Sequence, residues 1–218
     1  MKPLYLFVQA PLSLALIALT GAAWAGRPLT VDDAGVNEKA AGHVEMWVAR
    51  GAGKVSTFNI SPAYAPVDNV EIAGLLSRDS TAKLTTKSLQ VKWRITATQE
   101  KGCNVAAALG LLNTSPAGGN GVYVNGSTSC NGMAIGNFHL NLGGVKSSNA
   151  PFNSNWGMAL EKEMGSVTPH IEYFGNEGAK PTVQVGIRTE IKKGIQLDGT
   201  VGRNAGDMVY SLGVKFFF

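Results

Sequence analysis

The chain ends on a strand, and that ending narrows its folds more than any other feature. Tyr210, Leu212, Val214, Phe216 and Phe218 are apolar or aromatic at every second position, up to the last residue. A period of two sends successive side chains to opposite faces of a β-strand. A soluble fold rarely finishes on Phe-Phe-Phe, because an exposed apolar edge invites pairing with other chains. The same period recurs upstream. Leu89, Val91, Trp93 and Ile95 alternate with Gln90, Lys92 and Arg94. Phe138, Leu140 and Leu142 alternate with Asn137, His139 and Asn141, and Val183, Val185 and Ile187 with Gln184, Gly186 and Arg188. One face suits lipid and the other suits water, as the wall of a membrane barrel requires.

Composition agrees with two opposed faces. Only 16% of residues are charged and 27 are glycine, while the mean hydropathy of +0.05 is close to neutral. Such a chain is neither a long charged disordered polymer nor a polytopic helical membrane protein. So much glycine also disfavours a helical bundle. The period-two segments number about twelve, over residues 41–50, 55–66, 69–79, 87–97, 103–113, 120–128, 132–143, 154–163, 167–176, 180–191, 195–203 and 207–218. The expected fold is an all-β, antiparallel transmembrane barrel of 12 strands. Ten is the alternative, because the glycine-rich stretch 115–132 resists parsing. Tight connectors at Val67-Asp68, 164–166 and 192–194 would be periplasmic turns, and longer ones at 80–86 and 144–153 external loops.

The amino terminus reads as a separate piece. Lys2 precedes an apolar stretch from Leu4 to Ala23, and Ala23-Trp24-Ala25 places small residues where a signal peptidase cuts. Residues 1–25 are therefore expected to be a cleaved signal peptide, with an uncleaved anchor helix as the alternative. Residues 26–40 then form an N-terminal lead, and 41–218 the barrel. The formal net charge of +4 is too small an excess to argue for nucleic acid.

Cys103 opens the fifth segment and Cys130 follows the sixth. Adjacent antiparallel strands would bring both to the periplasmic rim, where an exported chain favours a disulfide over two free thiols. The inward parity collects Glu45, Glu71, Lys92, Arg94, His139, Glu161, His170, Glu172, Arg188, Glu190, Asp198 and Lys215 as lumen candidates. Two lumens fit them: a narrow channel whose charges select small solutes, or a closed polar network inside a structural or ligand-binding barrel. His43, His139 and His170 are scattered, so no metal site or cofactor is expected. His170 and Glu172 share a face, which suits a lumen hydrogen bond. No G-x-S-x-G or metal-protease motif is present, so no catalytic residues are assigned. A phospholipase-like barrel enzyme is the least favoured reading.

Two stretches carry a resemblance. Phe218, Phe216, Gly213, Ser211 and Tyr210 match the terminal pattern of bacterial outer-membrane barrels. The likeness implies a Gram-negative outer-membrane location in lipid, and engagement of the barrel-assembly machinery by the last strand. The stretch Gly26-Arg27-Pro28-Leu29-Thr30-Val31-Asp32-Asp33-Ala34-Gly35, followed by Glu45-Met46-Trp47 and Pro62-Ala63-Tyr64, is similar to proteobacterial barrels whose mature chains begin R-P-L-x-T-D-D-A. That group includes barrels assigned to transport in a phenol meta-cleavage pathway. It departs here at Val31 and Ala65. The resemblance implies passive transport of a small solute but names none. Asp32 and Asp33 precede the first segment by enough residues to fold back into the mouth. Arg27, Asp32 and Asp33 are therefore plug candidates, with Lys92, Arg94 or Arg188 as partners. A periplasmic lead outside the barrel is the other arrangement.

Overall fold

Along most of each strand alternate residues face the lumen, and the pairing of the last strand with the first closes the wall. The structure, a computed structural model, describes residues 29–116, 119–148 and 150–218. The expected leader and Arg27 lie outside the described residues. The strands are β1 (Gly42–Arg50), β2 (Ser56–Val67), β3 (Val70–Asp79), β4 (Thr85–Arg94), β5 (Gly102–Ser115), β6 (Gly119–Met133), β7 (Gly136–Ser147), β8 (Phe152–Glu161), β9 (Val167–Asn176), β10 (Thr182–Lys192), β11 (Ile195–Asn204) and β12 (Asp207–Phe217). Each pairs antiparallel with its sequence neighbours, and β12 pairs with β1 to close the barrel. Closure leaves no strand edge bare, which a wall in lipid demands.

The seam runs from His43 opposite Phe217 to Arg50 opposite Tyr210. Its end is made by the last residue. The Phe218 N–H donates to the Gly42 carbonyl at 2.9 Å, and the Gly42 N–H donates back at 2.8 Å. Tyr210, Leu212 and Phe218 face outward, whereas Ser211 and Lys215 are buried. Removing Phe218 deletes both closing bonds. Refolding of that variant is expected to yield severalfold less of the heat-modifiable folded band on unheated gels.

The ten-strand alternative is excluded by the glycine-rich stretch itself. It forms β6, paired with β5 from Thr114 opposite Gly119 to Gly102 opposite Asn131. Tyr123, Asn125, Ser127 and Ser129 are buried on one parity, while Val122 and Val124 are exposed on the other. Three expectations need correction. The sixth strand, expected over 120–128 with Cys130 after it, runs on to Met133, because residues up to Asn131 continue to pair with β5, and so it contains Cys130. The seventh strand lies at Gly136–Ser147 rather than 132–143, because Gly144 and Ser147 continue to pair with β6. The long external loop expected at 144–153 therefore shrinks. The longer connection is instead 95–101, between β4 and β5, at the end where β1 begins and β12 finishes. The expected contrast of short turns with long loops is not observed.

Outside, Leu89, Trp93, Leu109, Leu111, Leu142 and Leu212 are all more than half exposed. They suit a hydrocarbon environment rather than water. Inside, small residues leave room: Ala63, Ala73, Ala106, Ala108 and Ala159 are buried. Over Gly110 the space is taken by the Tyr123 ring, whose hydroxyl donates to Gln90 Oε1 at 3.0 Å.

Cys103 and Cys130 sit opposite one another in register and form a disulfide near the rim where β1 begins. The bond spans 27 residues of sequence. In the chain-entropy model a loop of that order is stabilised by about 3–4 kcal/mol. Replacing both cysteines by serine is expected to lower the urea midpoint of the refolded barrel without abolishing its folded mobility.

Candidate functional site

The lumen is occupied by the chain's own amino-terminal segment. Leu29, Val31, Asp32 and Ala34 are at most 3% exposed, although they precede the first strand. Two kinds of contact seat them, ionic and backbone.

The ionic contact is made by Lys92 of β4. Its Nζ lies 2.8 Å from Asp32 Oδ1 and 3.4 Å from Asp33 Oδ1. The other Asp32 oxygen accepts from Asn125 Nδ2 of β6 at 2.8 Å. Lys92 and Asp32 are both shielded almost completely from solvent. A buried ion pair holds only when its remaining lone pairs are satisfied, and Asn125 supplies that bond. Of the three cations offered to the segment by sequence, Lys92 alone takes it. Arg188 pairs with Glu161 at 2.9 Å, and Arg94 donates to Asn69 Oδ1 at 2.7 Å in the β2–β3 turn.

The backbone contact is made by Glu172 of β9. One oxygen accepts the N–H of Thr30 at 2.6 Å and of Val31 at 2.7 Å. The other accepts from Gln184 Nε2 of β10 at 2.6 Å, and Gln184 also donates to Thr30 Oγ1 at 3.0 Å. Further along, the Ser127 hydroxyl donates to the Asp33 carbonyl at 2.8 Å. The Ala34 N–H donates to Ser129 Oγ at 2.7 Å, and the Asn37 N–H to Glu71 Oε2 at 3.0 Å. Leu29, just before the first anchor, and Val31, between the anchors, pack on Ala159 and Phe174.

The ring order shows how far the segment reaches. β4 and β10 lie six places apart in a ring of twelve, hence on opposite walls. Thr30 is held from β9 and β10, Asp32 from β4 and β6. These anchors are only two positions apart in the chain, with Val31 between them, a reach of about 7 Å at most for extended chain. Long wall side chains therefore leave only a slot, and the segment spans it.

Other candidates cluster around this seat. His139 Nδ1 lies 2.8 Å from Ser129 Oγ, and its Nε2 lies 3.5 Å from Glu161 Oε1. The line Ser129–His139–Glu161–Arg188 has the residue types of a hydrolytic triad. The serine oxygen, however, is engaged by the Ala34 N–H, so the line braces the segment. His170 Nε2 lies 3.7 Å from Glu172. Lys215 pairs with Glu45 at 2.9 Å across the seam, and Glu45 also faces His43 at 3.4 Å. Asp198 is buried opposite Arg188 in register. Glu190 is exposed at the rim, where it accepts the Gly194 N–H at 2.7 Å. Arg94 and Glu190 thus serve turns rather than the lumen centre, because each lies near the end of its strand.

Sequence reasoning missed Asn125, Ser127, Ser129 and Phe174. A signal for the first three was present, since they alternate with Val124, Gly126 and Thr128. The glycines around them concealed the period.

A profile of the family described as Uncharacterised conserved protein UCP029691 matches residues 13–209. No curated protein matches the chain. Among solved structures, the KdgM porin superposes with a TM-score of 0.67 at 9% identity, covering 80% of this chain and 98% of that one. The NanC porin gives 0.60 at 9% identity, with the same coverage. A COG4313 outer membrane channel from Pseudomonas putida F1 gives 0.54 at 10% identity, covering 84% and 97%. At these identities the likeness is one of fold.

Proposed function

We propose that this chain, which belongs to the family described as Uncharacterised conserved protein UCP029691, is an outer-membrane barrel that passes small solutes when its amino-terminal segment leaves the lumen. The observation that carries the reading is the seat of residues 29–37. A wall with a polar interior and an apolar exterior has the build of a channel, and one removable piece of chain obstructs it. Export by a cleaved leader, insertion through the barrel-assembly machinery and residence in outer-membrane lipid belong to the same proposal. They are supported by the leader pattern and the terminal aromatic strand. The likeness of the mature start to barrels of phenol meta-cleavage transport is a proposal about kinship and names no solute.

A second reading, a non-conducting structural or binding barrel, is favoured by one observation: the segment is held from both walls. Planar-bilayer recordings separate the two. The refolded mature chain is expected to give little current, and a variant lacking residues 29–37 to give discrete conductance steps. A shortened barrel that folds, as judged by heat-modifiable mobility, yet carries no current would establish the second reading.

A further inference from the structure

The seat of the amino-terminal segment is a set of wall groups that recognise something, and its occupant displays what they recognise. Lys92 Nζ and Asn125 Nδ2 hold the two oxygens of one carboxylate. With the segment seated Lys92 is 3% exposed and Asn125 8%, so the carboxylate is held inside the wall and away from water rather than on a surface lysine. Opposite, Glu172 accepts two consecutive backbone N–H groups. Between them an apolar side chain lies against Gly157, Ala159 and Phe174. Ser127 and Ser129 then satisfy the carbonyl and N–H that follow.

When the segment withdraws, these groups remain. A buried ammonium that loses its carboxylate must hydrate or find another anion. Glu172 excludes a simple inorganic anion from its half of the slot, since like charges repel there, but it accepts amide N–H donors. The slot therefore matches neither a bare anion nor a neutral sugar. It matches an extended backbone in which an apolar residue precedes an acidic one.

We infer that the lumen seat formed by Lys92, Asn125 and Glu172 is a binding site for short, extended acidic peptides, which compete with residues 29–37 for it. The inference deepens the channel reading and rests on it for its biological meaning. Binding of such a solute would hold the segment out, because a ligand that fits only the vacated lumen shifts the population toward it. The solute would then open its own path.

The test uses the full mature chain, refolded in detergent, with binding followed by calorimetry. The probe is the acetylated, amidated pentapeptide Thr-Val-Asp-Asp-Ala, and the control carries Asn in place of both Asp residues. D32N/D33N, whose own segment is weakened, is expected to bind the acidic probe at least tenfold more tightly than the unaltered chain does. It should also prefer that probe over the control by at least tenfold. Adding Lys92→Met should remove the preference. Asn125→Ala in the same background serves if the Lys92 variant does not fold, and should reduce the preference severalfold. Equal binding of probe and control to D32N/D33N, or a preference that survives Lys92→Met, would overturn the inference. Because binding is read without current, failure of the site and failure of the channel reading are distinguishable. A barrel that discriminates the probes but never conducts loses the channel and keeps the site.

Discussion

Replacing Asp32 by Asn is expected to convert an obstructed lumen into a conducting one. In the seated state the substitution leaves the Lys92 ammonium without its nearest carboxylate in a site closed to water. Removing one partner of a buried ion pair costs about 3–5 kcal/mol. In the withdrawn state the same ammonium faces a wet lumen, so the cost falls on one side of the equilibrium only. At about 1.4 kcal/mol per factor of ten, seating weakens by roughly two to three and a half orders of magnitude. Asp33, 3.4 Å from the same nitrogen, retains part of the attraction, so D32N/D33N should move further than Asp32→Asn alone. Two readouts check this: the open probability of single channels, and the labelling rate of a cysteine placed at Ala34, which is fully buried. Cys103 and Cys130 are bonded and do not compete for the label. Unchanged current and labelling would show that the ion pair does not hold the segment.

Gly157→Val is expected to unseat the segment by sterics instead of charge. A Cβ at Gly157 would lie 2.8 Å from Val31 Cγ2, 2.6 Å from Asn141 Oδ1 and 3.2 Å from Phe174 Cβ. Asn141 and Phe174 sit opposite Gly157 in the neighbouring strands, which hold them in their ladders. The segment is tied only by side chains and is the part that yields. Overpacking costs about 1–3 kcal/mol, which corresponds to a rise of roughly 5- to 150-fold in labelling at position 34. The control is non-additivity. In a barrel that already lacks residues 29–37, Val31 is gone, so Gly157→Val should cost markedly less stability than in the full chain. An equal cost in both would place the strain in the wall.

The parity of the wall was readable residue by residue. Lys92, His139, Glu161, Glu172 and Lys215 lie on the face that their alternation indicates, because a strand pinned by its neighbours cannot rotate one side chain without rotating all. The terminal strand was readable for the same reason. Where glycine interrupted the pattern, as around Asn125 and Ser129, the period weakened and the lumen contacts went unseen. Strand ends were also less legible. Gly144 pairs or loops according to its neighbour strand, and nothing local decides between them. Arg94 and Glu190 have inward parity, yet their depth along the barrel makes them rim residues. Parity carries no information about depth.

The sequence by itself determined a two-faced wall and placed its two cysteines at neighbouring strands, since these follow from local periodicity, whereas the choice of twelve strands over ten waited on the pairing of β5 with β6. It also supplied Asp32 and Asp33 as acids ahead of the first strand, with three cations that could meet them. Only the tertiary structure decided that Lys92 is the partner, that Glu172 grips the backbone from the opposite wall, and that Gly157 makes the room. Those choices join residues 60 and 142 positions apart. They depend on ring closure, which brings β4 and β10 to face one another across a narrow lumen, and no pattern confined to one strand contains that distance.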